Sequence, residues 1–283
     1  MKTVGLPGGE SVPAIGLGTW RIGESAGSRR AEVEAVELAL QLGYRLIDTA
    51  EMYGEGGAEE VVGEALARGP VRRDRVFLVS KVYPHNASRK GVIAACERSL
   101  RRLRTDRIDL YLLHWRGGVP LAETVAAFEQ LREHGKIRHW GVSNFDVDDM
   151  RELWDLDEGS NCAANQVWYS ASQRGIEFDL LPWQRQHRLP VMAYCPIDQG
   201  ALAQNSRLRA VARARRLTAA QVALAWVLRQ PDVIAIPKAA QAAHLQDNLA
   251  AASVELSAEE LAQIDAAFPP PARKHRLAMA AYR

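Results

Sequence analysis

The sequence is short of cysteine. Cys96, Cys162 and Cys195 are the three among 283 residues, too few to staple a chain of this size with disulfides. None forms a C-x-x-C pair, and none has a histidine at zinc-site spacing, so no structural metal is expected. The odd, unpatterned set fits a reducing cytoplasm, with the thiols as small buried hydrophobes. Long apolar runs are also missing. Nothing approaches the ~20 residues of a membrane-spanning helix, and the start MKTVGLPGGE lacks the apolar core of a signal peptide. Charge of one sign is absent: 36 Lys and Arg stand against 34 Asp and Glu, a net +2. That balance gives no field to draw nucleic acid or an anionic membrane. The basic run Arg98, Arg101, Arg102, Arg104 and Arg107 reads as the solvated face of a helix. No Pro/Gly/Ser-rich linker divides the chain, so a single domain over residues 1–283 is expected.

What is present is alternation. Hydrophobic residues make up 47%, which excludes disorder, and they fall into short runs separated by helix-period segments. The strand-like runs are Ile15–Gly18, Arg45–Asp48, Val76–Val82, Ile108–His114, Ile137–Ser143, Cys162–Val167, Val191–Tyr194 and Val233–Ile236. Most are apolar at nearly every position, as strands covered on both faces are. Thr218 with Gln221 and Ser257 with Glu260 have capping-box spacing before apolar-periodic stretches. Strand then helix, eight times, implies a parallel α/β sheet. An open dinucleotide-binding sheet needs G-x-G-x-x-G after its first strand. Gly18-Thr19-Trp20-Arg21-Ile22-Gly23 stands there instead, which favours closure into a (β/α)8 TIM barrel. Thr3–Leu6 and Ser11–Ala14 flank Pro7-Gly8-Gly9 and read as an N-terminal β-hairpin cap. An extra C-terminal helix, Ala258–Ala267, and a tail from Pro269 to Arg283 follow the last unit.

A barrel of this kind carries its chemistry at the C-terminal ends of its strands. The residues there are Asp48, Lys81, His114, Ser143, Asn144, Gln166, Tyr194 and Lys238. Singly, most have an ordinary explanation: Asp48 as a loop cap, His114 as a satisfied core histidine, Tyr53 as a turn residue. Lys81 is harder to explain that way, because a charge at the end of a buried strand needs a partner. Asp48 on the neighbouring strand supplies one. Together the set suits carbonyl reduction. Hydride addition leaves an alkoxide that needs a proton, and Tyr53 can give it. Its free pKa of about 10 is too high unless an ammonium such as Lys81 stabilises the phenolate. His114 would orient the carbonyl oxygen. No side chain donates hydride, so a nicotinamide must bind. Tyr194 offers an aromatic face for it, and Ser143, Asn144 and Gln166 offer hydrogen bonds to its carboxamide. Lys238 opens the loop after strand eight, where barrels often hold phosphate.

At these residues the chain resembles the aldo-keto reductase family. The matching segments run in order: Leu46–Gly54, Val79–Val82, Leu110–Trp115, Gly141–Phe145, Asn165-Gln166, Ala193-Tyr194-Cys195-Pro196 and Ile236-Pro237-Lys238. Leu112–Trp115, Gly175-Ile176-Glu177 and Ile236–Ala240 look like its bacterial methylglyoxal-reductase-like branch. The resemblance implies NADPH-linked reduction of aldehydes and ketones without metal, with Asp48, Tyr53, Lys81 and His114 as the catalytic tetrad. It implies Trp20 and Trp115 in the substrate pocket. At the cofactor end it implies Ser143, Asn144, Gln166, Tyr194, Cys195, Pro196, Lys238, Ala239, His244, Asp247 and Asn248. Ala239 stands where the family has Ser or Thr, and His244 where it has Arg. Both losses weaken recognition of a 2′-phosphate, so NADPH is expected with NADH possible. Cys195 replaces a usual Ser, and an oxidant-sensitive thiol near the cofactor is one consequence to look for.

The expected function is reduction of small aldehydes, dicarbonyls or ketones of methylglyoxal type. The short segment Arg116–Pro120 and the short tail suggest an open mouth. Two other classes compete. A nucleotide-binding regulatory subunit of the same fold is disfavoured by the intact tetrad. A metal-dependent hydrolase is disfavoured because only His114 and His139 lie in strands. A small-molecule carbonyl partner and a cytoplasmic monomer are expected.

Overall fold

The computed structural model describes residues 2–69 and 71–280. Two short strands, β1 (Thr3–Gly5) and β2 (Ser11–Pro13), pair antiparallel. Eight more run parallel: β3 (Leu17–Gly18), β4 (Leu46–Asp48), β5 (Phe77–Val82), β6 (Ile108–Leu113), β7 (Ile137–Ser143), β8 (Asn165–Trp168), β9 (Val191–Tyr194) and β10 (Val233–Ala235). Their order in the sheet is their order in the chain. The sheet curls until its edges meet, with parallel bridges from Ile15 to Ala235 and from Gly18 to Lys238. Gly18 is required at that seam, because a Cβ there would lie 2.7 Å from the Ile236 carbonyl oxygen.

The helices are α1 (Arg29–Leu42), α2 (Gly57–Arg68), α3 (Arg89–Leu103), α4 (Leu121–Glu133), α5 (Val147–Trp154), α6 (Leu180–Gln186), α7 (Ala201–Gln204), α8 (Ser206–Ala214), α9 (Ala219–Leu228), α10 (Ala242–Ala251) and α11 (Ala258–Ala267). Both predicted capping boxes form, at the starts of α9 and α11. β5 and β6 are buried at every position, which is why their sequences do not alternate.

The strand runs match the sequence reading with small shifts at their ends. The largest shift is at β8, which begins at Asn165 rather than Cys162 and extends to Trp168. Ala163 and Ala164 still exchange backbone hydrogen bonds with Trp140 and Val142. The hairpin turn lies at the N-terminal end of β7, where Glu10 meets Arg138 at 2.7 Å and His139 at 2.8 Å. The basic run differs from expectation. Arg102 turns inward to the buried Glu59 at 2.6 Å, and Arg98 reaches the buried Glu51 at 3.4 Å. Buried carboxylates need such partners, so these two arginines join α3 to the elements beside it rather than to solvent.

The tail does not leave the mouth bare. Lys274 is held between Asp146 and Asp179, the residues just before α5 and α6. Arg174 holds the start of the tail through the Phe268 carbonyl at 2.6 Å and through Asp265. Ala280 then donates its backbone N–H to the Tyr194 hydroxyl at 3.3 Å. These ion pairs and the Ala280 hydrogen bond lay the short tail over the ends of strands β7 and β9. Residues 281–283 of the predicted tail lie outside the described residues.

Candidate active site

β4, β5 and β6 bring Asp48, Lys81 and His114 to one end of the sheet. All three are almost fully buried. Lys81 Nζ donates to Asp48 Oδ2 at 2.8 Å, to the Thr49 carbonyl at 2.9 Å and to the Tyr53 hydroxyl oxygen at 3.2 Å. Because the ammonium donates to that oxygen, the tyrosine proton is left to face elsewhere. Burial pulls the Lys81 ammonium below its ordinary value, and the Asp48 charge pulls back up.

Tyr53 lies on the loop after β4, and glycine fixes that loop. Gly54 has φ of 57°, and a Cβ on it would come within 2.6 Å of the Gly23 carbonyl oxygen. Gly57 approaches the same oxygen at 2.2 Å by that measure. Backbone rests directly on backbone, a contact that only glycine permits.

The His114 and Tyr53 rings meet edge to face, 5.8 Å between centroids. Burial, and secondarily the Lys81 charge, hold the imidazole well below the usual histidine range. It therefore stays neutral near pH 7 and keeps one N–H to donate. A base with a depressed folded value costs stability on acidification. Above about pH 6.5 both states are neutral there; below it the unfolded chain gains a proton that the fold refuses. Urea unfolding from about pH 7 to pH 5 is expected to lose up to about 1.4 kcal/mol per pH unit from this group. His114→Gln should flatten the acid limb by one proton. A limb of unchanged slope would refute the neutral imidazole.

The polar residues expected around a carboxamide are tied to one another. Gln166 Nε2 donates to Asp48 Oδ1 at 2.8 Å. Ser143 Oγ donates to the Gln166 carbonyl at 2.8 Å. Asn144, at φ 58°, donates to the His114 carbonyl at 3.1 Å and accepts from the Tyr194 hydroxyl at 2.8 Å. This chain of hydrogen bonds runs from Tyr194 to the ion pair and fixes the site before any ligand arrives.

A groove of about 490 Å3 opens from Asp48 and Tyr53 past Trp20, Gln166, Tyr194, Cys195 and Pro196. Lys238, His244, Asp247 and Asn248 also line it. Ala239 is buried and does not line it. The Cys195 thiol is pushed up to about 11, chiefly by burial and then by Asp198. A thiol held protonated is a poor nucleophile, which argues against fast oxidation there. Sequence reasoning also missed residues. Arg21 and the segment from Gln199 to Gln204 border the groove. Tyr83 packs on Trp115 at 6.0 Å and on His85 at 4.6 Å, and Trp115 lies 4.9 Å from His114. Tyr83 stands two residues past Lys81, so the strand-end rule could have found it. The Gln199 segment carries no such signal.

A family model described as the aldo/keto reductase family matches residues 14–268. The chain belongs to that family. It is 54% identical to methylglyoxal reductase YeaE of Escherichia coli K12, covering 98% of this chain and 99% of that one. It is 35% identical to a glyoxal reductase of Bacillus subtilis, over 93% and 92% of the two chains. Among solved structures it resembles an aldo-keto reductase of Klebsiella pneumoniae in complex with NADPH, at 56% identity, 99% coverage of both chains and a TM-score of 0.95. Among the described residues of this aldo/keto reductase, no group of three or more His, Cys, Asp or Glu could hold a metal ion. None of its helices there is long and apolar enough to cross a membrane.

Proposed function

We propose that this protein is an NADPH-dependent carbonyl reductase for small aldehydes, dicarbonyls or ketones of methylglyoxal type, with Tyr53 as the proton donor. The observation that carries the reading is the Lys81 ammonium, which donates to the Tyr53 oxygen at 3.2 Å beside a groove of about 490 Å3. The names of the relatives from E. coli and B. subtilis favour the same substrate class. The reading includes one domain over 1–283, closed as a (β/α)8 barrel, with the hairpin plugging the N-terminal end. It is a metal-independent monomer of the cytoplasm that binds neither nucleic acid nor membrane.

The groove suits the cofactor on chemical grounds. Its volume lies in the ordinary range of ligand clefts. Its lining includes an aromatic ring, Tyr194, and an exposed cation, Lys238, together with His244 and the buried Asn248. Tyr194 would face the nicotinamide, and Lys238, His244, Asp247 and Asn248 the phosphorylated ribose, with Cys195 and Pro196 along the backbone between. NADPH supplies the hydride when bound. The substrate oxygen gains charge as its carbon is reduced, and the neutral His114 N–H holds it. Tyr53 gives that oxygen its proton, and Lys81 stabilises the phenolate left behind. Asp48, held by Gln166, keeps Lys81 charged and aimed.

The direct test is oxidation of NADPH across a panel of aldehydes and dicarbonyls, with NADH alongside. Turnover with methylglyoxal-like compounds is expected. No oxidation with any carbonyl would favour the regulatory-subunit reading. Lys238→Ala should raise the dissociation constant for NADPH about tenfold or more, the size of one charged contact, and change NADH little. Equal weakening of both would contradict the phosphate role.

A further inference from the structure

The loop that carries Tyr53 also grips a second tyrosine, and it does so at both ends. Glu51 lies just before Tyr53 and is buried. Its Oε1 accepts from the Tyr83 backbone N–H at 2.7 Å and from the Asn86 side-chain amide at 3.0 Å. Its own backbone N–H donates to the Lys81 carbonyl at 3.3 Å. Glu55, just after Tyr53, accepts from the Tyr83 hydroxyl at 3.2 Å. Burial, and then Glu55 and Glu51, push that hydroxyl up to about 12, so it stays a donor near pH 7. The second oxygen of Glu51 faces Arg98 of α3 at 3.4 Å. A buried carboxylate needs its charge met, and Tyr83, Asn86 and Arg98 meet this one together.

Tyr83 is the outer member of a row of rings. Tyr53 meets His114 at 5.8 Å, His114 meets Trp115 at 4.9 Å, and Trp115 meets Tyr83 edge to face at 6.0 Å. A carbonyl held by Tyr53 and His114 has Trp115, and then Tyr83, as the next rings along the row. Where Tyr83 stands decides how much room the rest of the substrate has.

We infer that Glu51, held by Arg98, is a positioning residue that sets the width of the substrate mouth through Tyr83. Given the reductase reading, on which this rests, the clamp biases the site toward small carbonyl compounds. Neither Glu51 nor Arg98 lines the cofactor groove, so NADPH affinity does not depend on them. A glutamine at position 51 has one acceptor atom where the carboxylate uses two. With its oxygen toward Tyr83, its NH2 faces the Arg98 guanidinium, donor against donor. The clamp then loosens and Tyr83 gives way to bulkier substrates.

Steady-state kinetics with benzaldehyde and naphthaldehyde, which differ by one fused ring, tests the width at constant chemistry. Glu51→Gln should raise the naphthaldehyde-to-benzaldehyde ratio of kcat/KM about threefold to tenfold, the worth of one hydrogen bond. The change should lie mainly in KM, with the NADPH dissociation constant within about twofold of the parent's. General damage to the fold would lower both substrates alike and leave the ratio where it was. Arg98→Met, at a partly exposed side chain, should shift the ratio the same way, and Arg98→Lys should restore part of it. Adding Arg98→Met to Glu51→Gln should change little more, because the two residues act as a unit. Hydrogen exchange over residues 83–86 reads the clamp without turnover and should quicken in Glu51→Gln and in Arg98→Met. Turnover by the parent with an unchanged ratio or unchanged exchange in both variants overturns this proposal alone. No oxidation of NADPH by the parent with any carbonyl overturns the reductase reading, and this one with it.

Discussion

Tyr53→Phe is expected to lower kcat at least about a hundredfold while the dissociation constant for NADPH stays within about twofold. A positioned general acid contributes roughly 10²–10⁴ in rate, and the substitution removes only the hydroxyl. The ring stays, so its edge-to-face contact with His114 at 5.8 Å stays too. Loss confined to the chemical step lowers kcat and kcat/KM together. Stopped-flow hydride transfer with bound NADPH separates that step from binding. Full turnover in Tyr53→Phe would overturn the acid assignment, and an equal loss of cofactor affinity would mean that the loop had moved.

The second large effect concerns the buried ion pair. Asp48→Asn keeps the side chain's shape and leaves an oxygen for Gln166, but it removes the countercharge 2.8 Å from Lys81. Breaking a buried pair from one side costs about 3–5 kcal/mol, because the remaining charge has no compensation. Urea unfolding should register that loss as a lower midpoint at constant slope. Burial already depresses Lys81, and losing Asp48 depresses it further, so its support of the Tyr53 phenolate weakens. Turnover should fall about a hundredfold or more. Adding Lys81→Met to Asp48→Asn should return much of the stability and none of the activity. A double variant no more stable than the single one would show that the cost did not come from the stranded ammonium.

Much of this was legible in the chain. The eight strands were visible as apolar runs, because strands buried on both faces cannot alternate. Asp48, Lys81 and His114 could be placed together from strand ends alone, because adjacent parallel strands in register deliver their last residues to one rim. What sequence could not give were the long-range ion pairs. Arg98 and Arg102 look like any solvated arginines until Glu51 and Glu59 are seen opposite them. The tail looks too short to cover anything until Lys274 is found between Asp146 and Asp179, residues far from it in sequence. The bonds among Gln166, Ser143, Asn144 and Tyr194 were hidden for the same reason. Their residue types are plain in the chain, but their mutual partners depend on the register of β7 to β9.

The seam between Gly18 and Lys238 also constrains how the protein is made. Synthesis delivers β3 early, yet its second neighbour, β10, is the last of the described strands to leave the ribosome. Through most of translation the nascent sheet presents two open edges, and such edges invite pairing with other chains. Only when Ile236 and Lys238 emerge can the ring shut and hide them. A fragment that ends ahead of Val233 keeps those edges open and is expected to aggregate rather than form a smaller version of the fold.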